Sequence, residues 1–336
     1  MAVIRYGNHS VIGFGSMGNP SIYFCETSAG IKDWRTGKGS DGRIVLYEYL
    51  GEYSALEPLK VPDKYGFTTI NDYRLGWTTT ASNTPFYNNP NVVSVDLKNV
   101  PFKNNSMYRA FYNCRNLTSV NGINKNVTNM ANTFSNCSNL NQNIQIPNSV
   151  TNMYRTFYHC QNLNQNIQIP NSVTEMYGTF YSCYNLNQNI QIPSSVKDMS
   201  HTFSGCDNLN QNIQIPNSVT DMSHTFYFCY NLNQSIQIPN SVTDMSYTFY
   251  GCLNLSSRIN ILSQNVTDAS SCFSEGPLPK DVYIPYTYDN GAYTKTYNAF
   301  KSAGYFVGVE GVTMHDLNAT SGDTDHPVVA DWPNTW

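Results

Sequence analysis

The sequence predicts a solenoid of 23-residue coils, with a parallel β-sheet on one side, short helical or 3₁₀ turns on the other, and small mixed modules at both ends. Three observations predict it. Cysteines recur every 23 residues, at Cys114, Cys137, Cys160, Cys183, Cys206, Cys229 and Cys252. Phe134, Phe157, Phe180, Phe203, Phe226 and Phe249 keep the same step, each four residues after a methionine. One copy of so short a pattern cannot bury its own apolar face, whereas a stack of copies can.

Each part of a coil has its own reason. Val150, Met153 and Phe157 are apolar at steps of three and four, which suits a helical or 3₁₀ turn. Cys160 and Leu163 carry the corner. Ile167 and Ile169 lie two residues apart and share one face of a strand over residues 164–169. Pro170 ends that strand and Asn171–Ser172 turn the chain. Strands of successive coils are expected to pair in parallel, with Val, Met, Phe, Cys, Leu and both Ile inward.

Along the chain, residues 1–43 are Gly-rich and turn-rich and read as an attachment arm or small module, with Thr36–Gly39 as a basic turn. Residues 44–85 read as an irregular first coil, opening on a strand from Ile44 and carrying an insertion with Trp77. Residues 86–285 are the repeat proper. Residues 286–336 leave the pattern and read as a cap or docking module, with a short helix within 293–306 and a strand after it.

Composition narrows the function. Net charge is −4 and only 12% of residues are charged, so the Lys/Arg surface that nucleic acid requires is absent. Aromatic residues reach 13%, which excludes a disordered chain. The opening MAVIRYGNHSVIGFGS carries one basic residue and no long apolar run, so neither a secretory signal nor membrane insertion is expected.

The cysteine column reads as a ladder of buried thiols, because equivalent side chains of stacked coils point the same way and make poor disulfides. No CxxC occurs, and one ligand per coil is not a convergent tetrad, so neither metal nor cofactor is expected. His201 and His224 lie one repeat apart and should stack; a metal between them is the weaker reading. Asp198, Asp221 and Asp244, with Glu175, Asn129 and Asn152 in the same column, suit capping of the following turn better than catalysis. Asp316, Asp323, Asp325 and His326 form an acidic tail cluster with at most a cation-binding role. No coil is marked as catalytic, so the chain reads as a non-enzyme.

Polar positions divide in two. Asn143, Asn166, Asn189 and Asn212, with Gln145, Gln168, Gln191 and Gln214, hardly vary and read as amide ladders running up the stack. The other set changes from coil to coil. It comprises Tyr108, Arg109, Tyr154, Arg155, Tyr158, His159, Tyr177, Tyr181, Tyr184, His201, His224, Tyr227, Tyr230, Tyr247 and Tyr250, on one arc that should be mostly exposed. Tyr mixed with Ser, Gly, Asn, His and Arg is the make-up of a binding surface. Drift among exposed turn residues leaves the same trace.

The coil NSVTxMxxTFxxCxNLxxxIxIP resembles the BspA-type leucine-rich repeat of bacterial surface proteins, and its NLNQNI and VTNM pieces resemble repeats of mycoplasma surface lipoproteins. The likeness spans roughly residues 44–285. It implies a leucine-rich-repeat solenoid, a role in adhesion or recognition, and no enzyme. Related repeats occur in phage tail and fibre proteins, which need no export signal. The first expectation is therefore a phage virion protein that meets other virion proteins through its terminal modules and a host-surface glycan or protein through the arc. A bacterial cell-surface adhesin is the second expectation, and an architectural virion component, with a homo-oligomer left open, is the third.

Overall fold

The computed structural model describes residues 86–97, 102–276, 281–284 and 295–303, together with paired strands before and after them. It forms two compact units, Met1–Ser172 and Val173–Trp336.

In the first unit, β1 (Val3–Tyr6) pairs antiparallel with β2 (His9–Ile12). The strands β3 (Ser21–Thr27), β4 (Gly30–Lys38) and β5 (Ile44–Tyr49) form an antiparallel run. The expected basic turn is thereby corrected: Thr36, Gly37 and Lys38 continue β4, because the β-branched start of β5 gives them a pairing edge after a bulge at Arg35/Thr36. Then follow β6 (Leu59–Lys60), the antiparallel pair β7 (Lys64–Tyr65) and β8 (Thr68–Thr69), and β9 (Tyr73–Leu75), which adds in parallel to β5. The insertion with Trp77 lies outside the described residues.

The first coils stack through β10 (Ser94–Asp96), which pairs in parallel with both β6 and β11 (Ser119–Asn121). In the second unit β12 (Ile236–Ile238), β13 (Ile259–Ile261), β14 (Asp281–Ile284) and β15 (Thr313–Asp316) make a four-stranded parallel sheet. Parallel strands one coil apart, on an open sheet, are the architecture of a leucine-rich-repeat solenoid.

The core is a set of columns. Val, Met, Phe, Cys and Leu of every regular coil are buried. Phe111, Phe134 and Phe157 stack with ring centroids 5.6 Å apart, and Phe180, Phe203, Phe226 and Phe249 do so at 5.6–5.8 Å. Fully burying each such ring is worth ~1.5–3 kcal/mol. Helix α1 (Lys295–Ser302) closes the second stack. Phe300 follows Phe273 at 6.3 Å, and the Thr296 hydroxyl donates to the Ser263 carbonyl at 2.6 Å while accepting the Val266 N–H.

The turn side of each coil is a chain of turns rather than a helix. Ala110, Tyr112 and Cys114 donate N–H to the carbonyls three residues back, at 2.9, 3.2 and 3.1 Å. The residues between them, Met107, Arg109, Phe111 and Asn113, donate instead to the next coil, to Asn129, Ala131, Thr133 and Ser135. Alternate amides therefore serve the turn and the stack, and every one is used. The i→i+3 bonds are those of successive β-turns. A left-handed residue every fourth position, such as Arg109 (φ 55) and Asn113 (φ 60), stops them from continuing as a helix.

The strand side departs from expectation. Strands form at β10 to β11 and from β12 onward, but residues 164–169 and their equivalents in the neighbouring regular coils are not strands. Asparagine side chains bond the backbone where this segment begins: Asn141 Oδ1 accepts the Asn164 N–H at 3.0 Å, and Asn187 and Asn210 accept those of Asn210 and Asn233. The last of these leads into β12, so the bond itself does not exclude a strand. Without a strand the second isoleucine is only half-buried, as at Ile169, Ile192 and Ile215, whereas Ile236 and Ile238 of β12 are both buried. The amide ladder is also elsewhere. Gln168, Gln191 and Gln214 bond within their own coil, to Asn166, Asn189 and Asn212. A continuous amide column that bonds from coil to coil runs instead through Asn116, Asn139 and Asn162, and then through Asn185, Asn208, Asn231 and Asn254. Gln165, Gln211 and Gln234 also reach Asn141, Asn187 and Asn210 of the preceding coil.

Candidate binding face

The arc is built on the turn chain, whose geometry decides what each residue costs. The second residue after each Met, and the second after each Phe, has positive φ. A type II turn requires this at its third position and is served best by Gly or Asn. Gly178, Gly205 and Gly251, like Asn113, Asn132 and Asn136, meet that demand. Arg109, Arg155, His159, His201, His224, Phe228 and Tyr247 do not. Each forces a side chain into a region that costs ~1–2 kcal/mol for an L-residue. Turn chemistry alone therefore explains half of the variable composition and leaves the aromatic and cationic half unexplained.

In the second unit these side chains form one network. His201 and His224 stack at 4.4 Å with planes 19° apart, and His224 stacks on Tyr247 at 4.7 Å and 14°. Tyr177 and Tyr181 lie against His201 at 5.3 and 6.1 Å. Tyr227 stacks on Tyr250 at 5.0 Å, and Phe228 meets Tyr227, Tyr230 and Tyr250 at 4.4, 5.6 and 5.4 Å. In the first unit the Arg109 guanidinium lies 5.1 and 5.4 Å from the rings of Tyr108 and Tyr112. Arg155 lies 5.2 Å from both Tyr154 and Tyr158, and His159 meets Tyr158 edge-on at 4.4 Å.

The expectation of a mostly exposed arc is corrected. Nearly all these side chains are half-buried, because each coil's rings lie against the next coil's, and Ser135, Ser182, Ser204 and Gly251 beneath them are buried. Tyr184 is the open one, at 36%. Burial pushes the His159 and His224 imidazoles below their usual range. For His224 the carboxylates of Asp244 and Asp221 pull partly the other way. Burial, with neighbouring tyrosines, raises the Tyr227 hydroxyl.

Phe228, a variable position after Tyr227, occupies a left-handed station at the network's centre. Tyr112, in the column of Tyr158, stacks on Tyr87 at 5.3 Å. Sequence reasoning passed over one set. The threonine before each Phe is wholly buried: Thr133, Thr156, Thr202, Thr225 and Thr248 donate to the Met carbonyl of the preceding coil at 2.9–3.1 Å.

The acidic column caps turns. Asp198, Asp221 and Asp244 accept the N–H two residues on at 2.7–2.8 Å, as Asn129 and Asn152 do at 2.8 Å. Cysteines 114 to 252 of the column, and Cys272, are buried thiols. Cys137 donates to the Phe111 carbonyl at 3.1 Å, and burial raises Cys114 and Cys252 to about 12. The carboxylates of Asp198, Asp221 and Asp244 are thus engaged as caps, and burial keeps the column's shifted thiols protonated. Among the described residues no group of three or more His, Cys, Asp or Glu is placed to hold a metal ion. Face-to-face imidazoles direct their lone pairs along parallel planes, so His201 and His224 do not converge on one ion. Asp323, Asp325 and His326 lie outside the described residues. No helix among those described is long and apolar enough to cross a membrane.

Comparison with known proteins follows the fold. The chain is similar to a leucine-rich repeat protein from Bacteroides ovatus ATCC 8483, at 20% identity and a TM-score of 0.51, over 90% of this chain and 76% of that one. A leucine rich cell surface protein from Faecalibacterium prausnitzii A2-165 matches at 19% identity and a TM-score of 0.48, over 80% and 83%. At such identities the likeness is one of fold. No curated protein matches the chain. One family model matches twice in overlapping register, over residues 105–215 and 174–283, and together the matches span more than half of the chain. The chain therefore belongs to the family described as "Mycoplasma protein of unknown function, DUF285".

Proposed function

We propose that the protein is a non-enzymatic recognition protein of a bacterial cell surface and that it binds through the aromatic arc of its coils. The observation that carries this reading is the set of His, Phe and Tyr side chains at left-handed stations where Gly and Asn fold more easily. Unselected drift at such stations would favour the cheaper residues. Half-buried tyrosines and histidines locked against one another make a rigid amphipathic surface that loses little entropy on binding.

The place at the cell surface rests on the likeness of the repeat to surface-protein repeats and on a family described from mycoplasma proteins. Both favour a cellular protein, so the adhesin reading now stands ahead of the virion one. The finer likenesses, to BspA-type repeats and to phage fibres, rest on the sequence columns alone.

The test is binding of the purified chain to intact cells of the source organism's habitat partners and to their isolated wall glycans. Tyr227→Ser with Tyr250→Ser should lower binding at least tenfold without changing the circular dichroism spectrum. Undiminished binding by that variant would remove the arc from the function.

A further inference from the structure

Charge is divided along the repeat. Residues 97–174 hold six cations, Lys98, Lys103, Arg109, Arg115, Lys125 and Arg155, and no carboxylate. Residues 175–284 hold eight carboxylates against three cations. Folding does not impose this. The cap column shows as much, because Asn129 and Asn152 hold their N–H partners at 2.8 Å, the distance Asp221 and Asp244 achieve. The cap station is neutral along the whole cation-rich stretch, as Ser106 on the Arg109 coil, Asn129 on the next and Asn152 on the Arg155 coil.

Those arginines have a specific setting. Arg109 lies over Tyr108 and Tyr112, and Arg155 over Tyr154 and Tyr158. The coil between them presents Ala131 and Ser135, both buried, at the stations where its neighbours carry tyrosine. The register is fixed by the Arg109 N–H on the Ala131 carbonyl at 3.1 Å and the Asn132 N–H on the Tyr154 carbonyl at 2.8 Å. Two Tyr–Arg–Tyr clusters thus flank a low saddle, two coils or roughly 10 Å apart at ~4.8 Å per paired layer. Both arginines stand at left-handed stations (φ 55 and 50), where the intervening coil has Asn132 (φ 54).

We propose that this saddle binds an anionic saccharide or polyol chain, with the Arg109 and Arg155 guanidiniums on two of its anionic groups and the tyrosine rings against its backbone. The proposal rests on the recognition reading above and names its ligand class. A guanidinium pairs in a fork with carboxylate or phosphate. Packing on an aromatic face pre-orients it. Tyrosine offers a flat apolar face with a polar edge, which suits a sugar or polyol backbone. Six cations on one stretch, next to an acid-rich one, suit a short anionic run better than a nucleic acid.

The experiment titrates the full chain with polygalacturonate, glycerol-phosphate teichoic acid, neutral dextran and a single-stranded oligonucleotide at low ionic strength. Binding of either anionic polymer is expected, and which of the two binds identifies the source of the anion. Arg109→Asn with Arg155→Asn should weaken it at least tenfold. Asn suits both backbone sites, so the fold survives, as circular dichroism will register. Lys125→Gln, which removes a charge elsewhere on the same coils, should change it less than twofold. Equal affinity for dextran, tighter binding of the oligonucleotide, or an arginine variant that binds as the parent does would overturn the proposal. Cells bound through Tyr227 and Tyr250 while no anionic polymer binds would sink this inference alone; failure of both would sink the recognition reading as well.

Discussion

The ring of Phe228 occupies the space that a side chain on Gly251 would need. A β-carbon on Gly251 would lie 2.1 Å from Phe228 Cδ1 and 2.5 Å from Cε1, and Gly251 itself has φ +70. The two residues hold the same station on successive coils, and the Phe228 ring leaves room there only for glycine.

Gly251→Ala should destabilise by about 1–3 kcal/mol, from the left-handed backbone and from displacement of the ring. In a Phe228→Gly background the same change should cost less, leaving only the backbone contribution. Urea unfolding of the four proteins gives the coupling, expected within the ~0.5–3 kcal/mol of contacting residues. Additive effects would mean that the ring does not sit on Gly251.

Stability should fall on mild acidification, and His224 should account for part of the fall. Burial lowers its folded pKa below the usual 6.5. The unfolded chain therefore takes up the proton first as pH drops past that value. The stabilisation is complete above it, is lost as pH falls through the lower folded pKa, and changes no further below. His159 is shifted in the same direction for the same reason. His224→Asn, at φ 53, removes the titrating group and suits the backbone. Melting temperatures at pH 7.5 and pH 5 should lie closer together in that variant than in the parent. Identical pH dependence would exclude His224 as a contributor.

The inward columns were legible because volume selects them. Phe157, Cys160 and Leu163 must fill the same space in every coil, and a 23-residue step records that directly. The side that carries the backbone ladder was not legible. The Ile167 segment has the same sequence pattern as β12 and the same asparagine bond before it, from Asn164 to Asn141 as from Asn233 to Asn210, yet only the later one is a strand. The arc was half legible. Tyr154, Tyr158 and Arg155 announced themselves by type, but two demands overlap at the left-handed stations. Asn132 there reports the turn and Arg155 does not, although both hold the same left-handed φ, 54 and 50. Burial of the arc was missed because it comes from neighbouring coils, as with Phe228 over Gly251.

The cap column should tolerate loss of charge but not loss of its oxygen. Asp221 Oδ1 accepts the Ser223 N–H at 2.8 Å. Asp221→Ala should cost about 0.5–2 kcal/mol, as for other lost caps. Asp221→Asn should fall within about 0.5 kcal/mol of the parent, since Asn152 does the same work for Tyr154. The Asn variant also removes a carboxylate that raises His224, so that imidazole should titrate lower, as NMR can follow. An unmoved His224 would mean the two groups are not coupled.

The thiol column should be chemically silent while the chain is folded. Thiol reagents attack the thiolate. Burial holds every shifted thiol above its ordinary value, with Cys114 and Cys252 at about 12, and Cys160 donates to the Phe134 carbonyl at 3.1 Å. At pH 8 the eight described cysteines should not react with Ellman's reagent in native buffer, and should all react in denaturant. Because the Phe134 carbonyl also accepts the Cys137 N–H at 3.0 Å, the sulfur is there mainly for its volume. Cys160→Ala should therefore cost about 1–2 kcal/mol through the space it leaves. Cys160→Ser keeps a donor aimed at the same carbonyl but buries a more polar group, so its cost should be no smaller. A serine variant clearly more stable than the alanine one would show that the bond, and not the packing, fixes cysteine at this station.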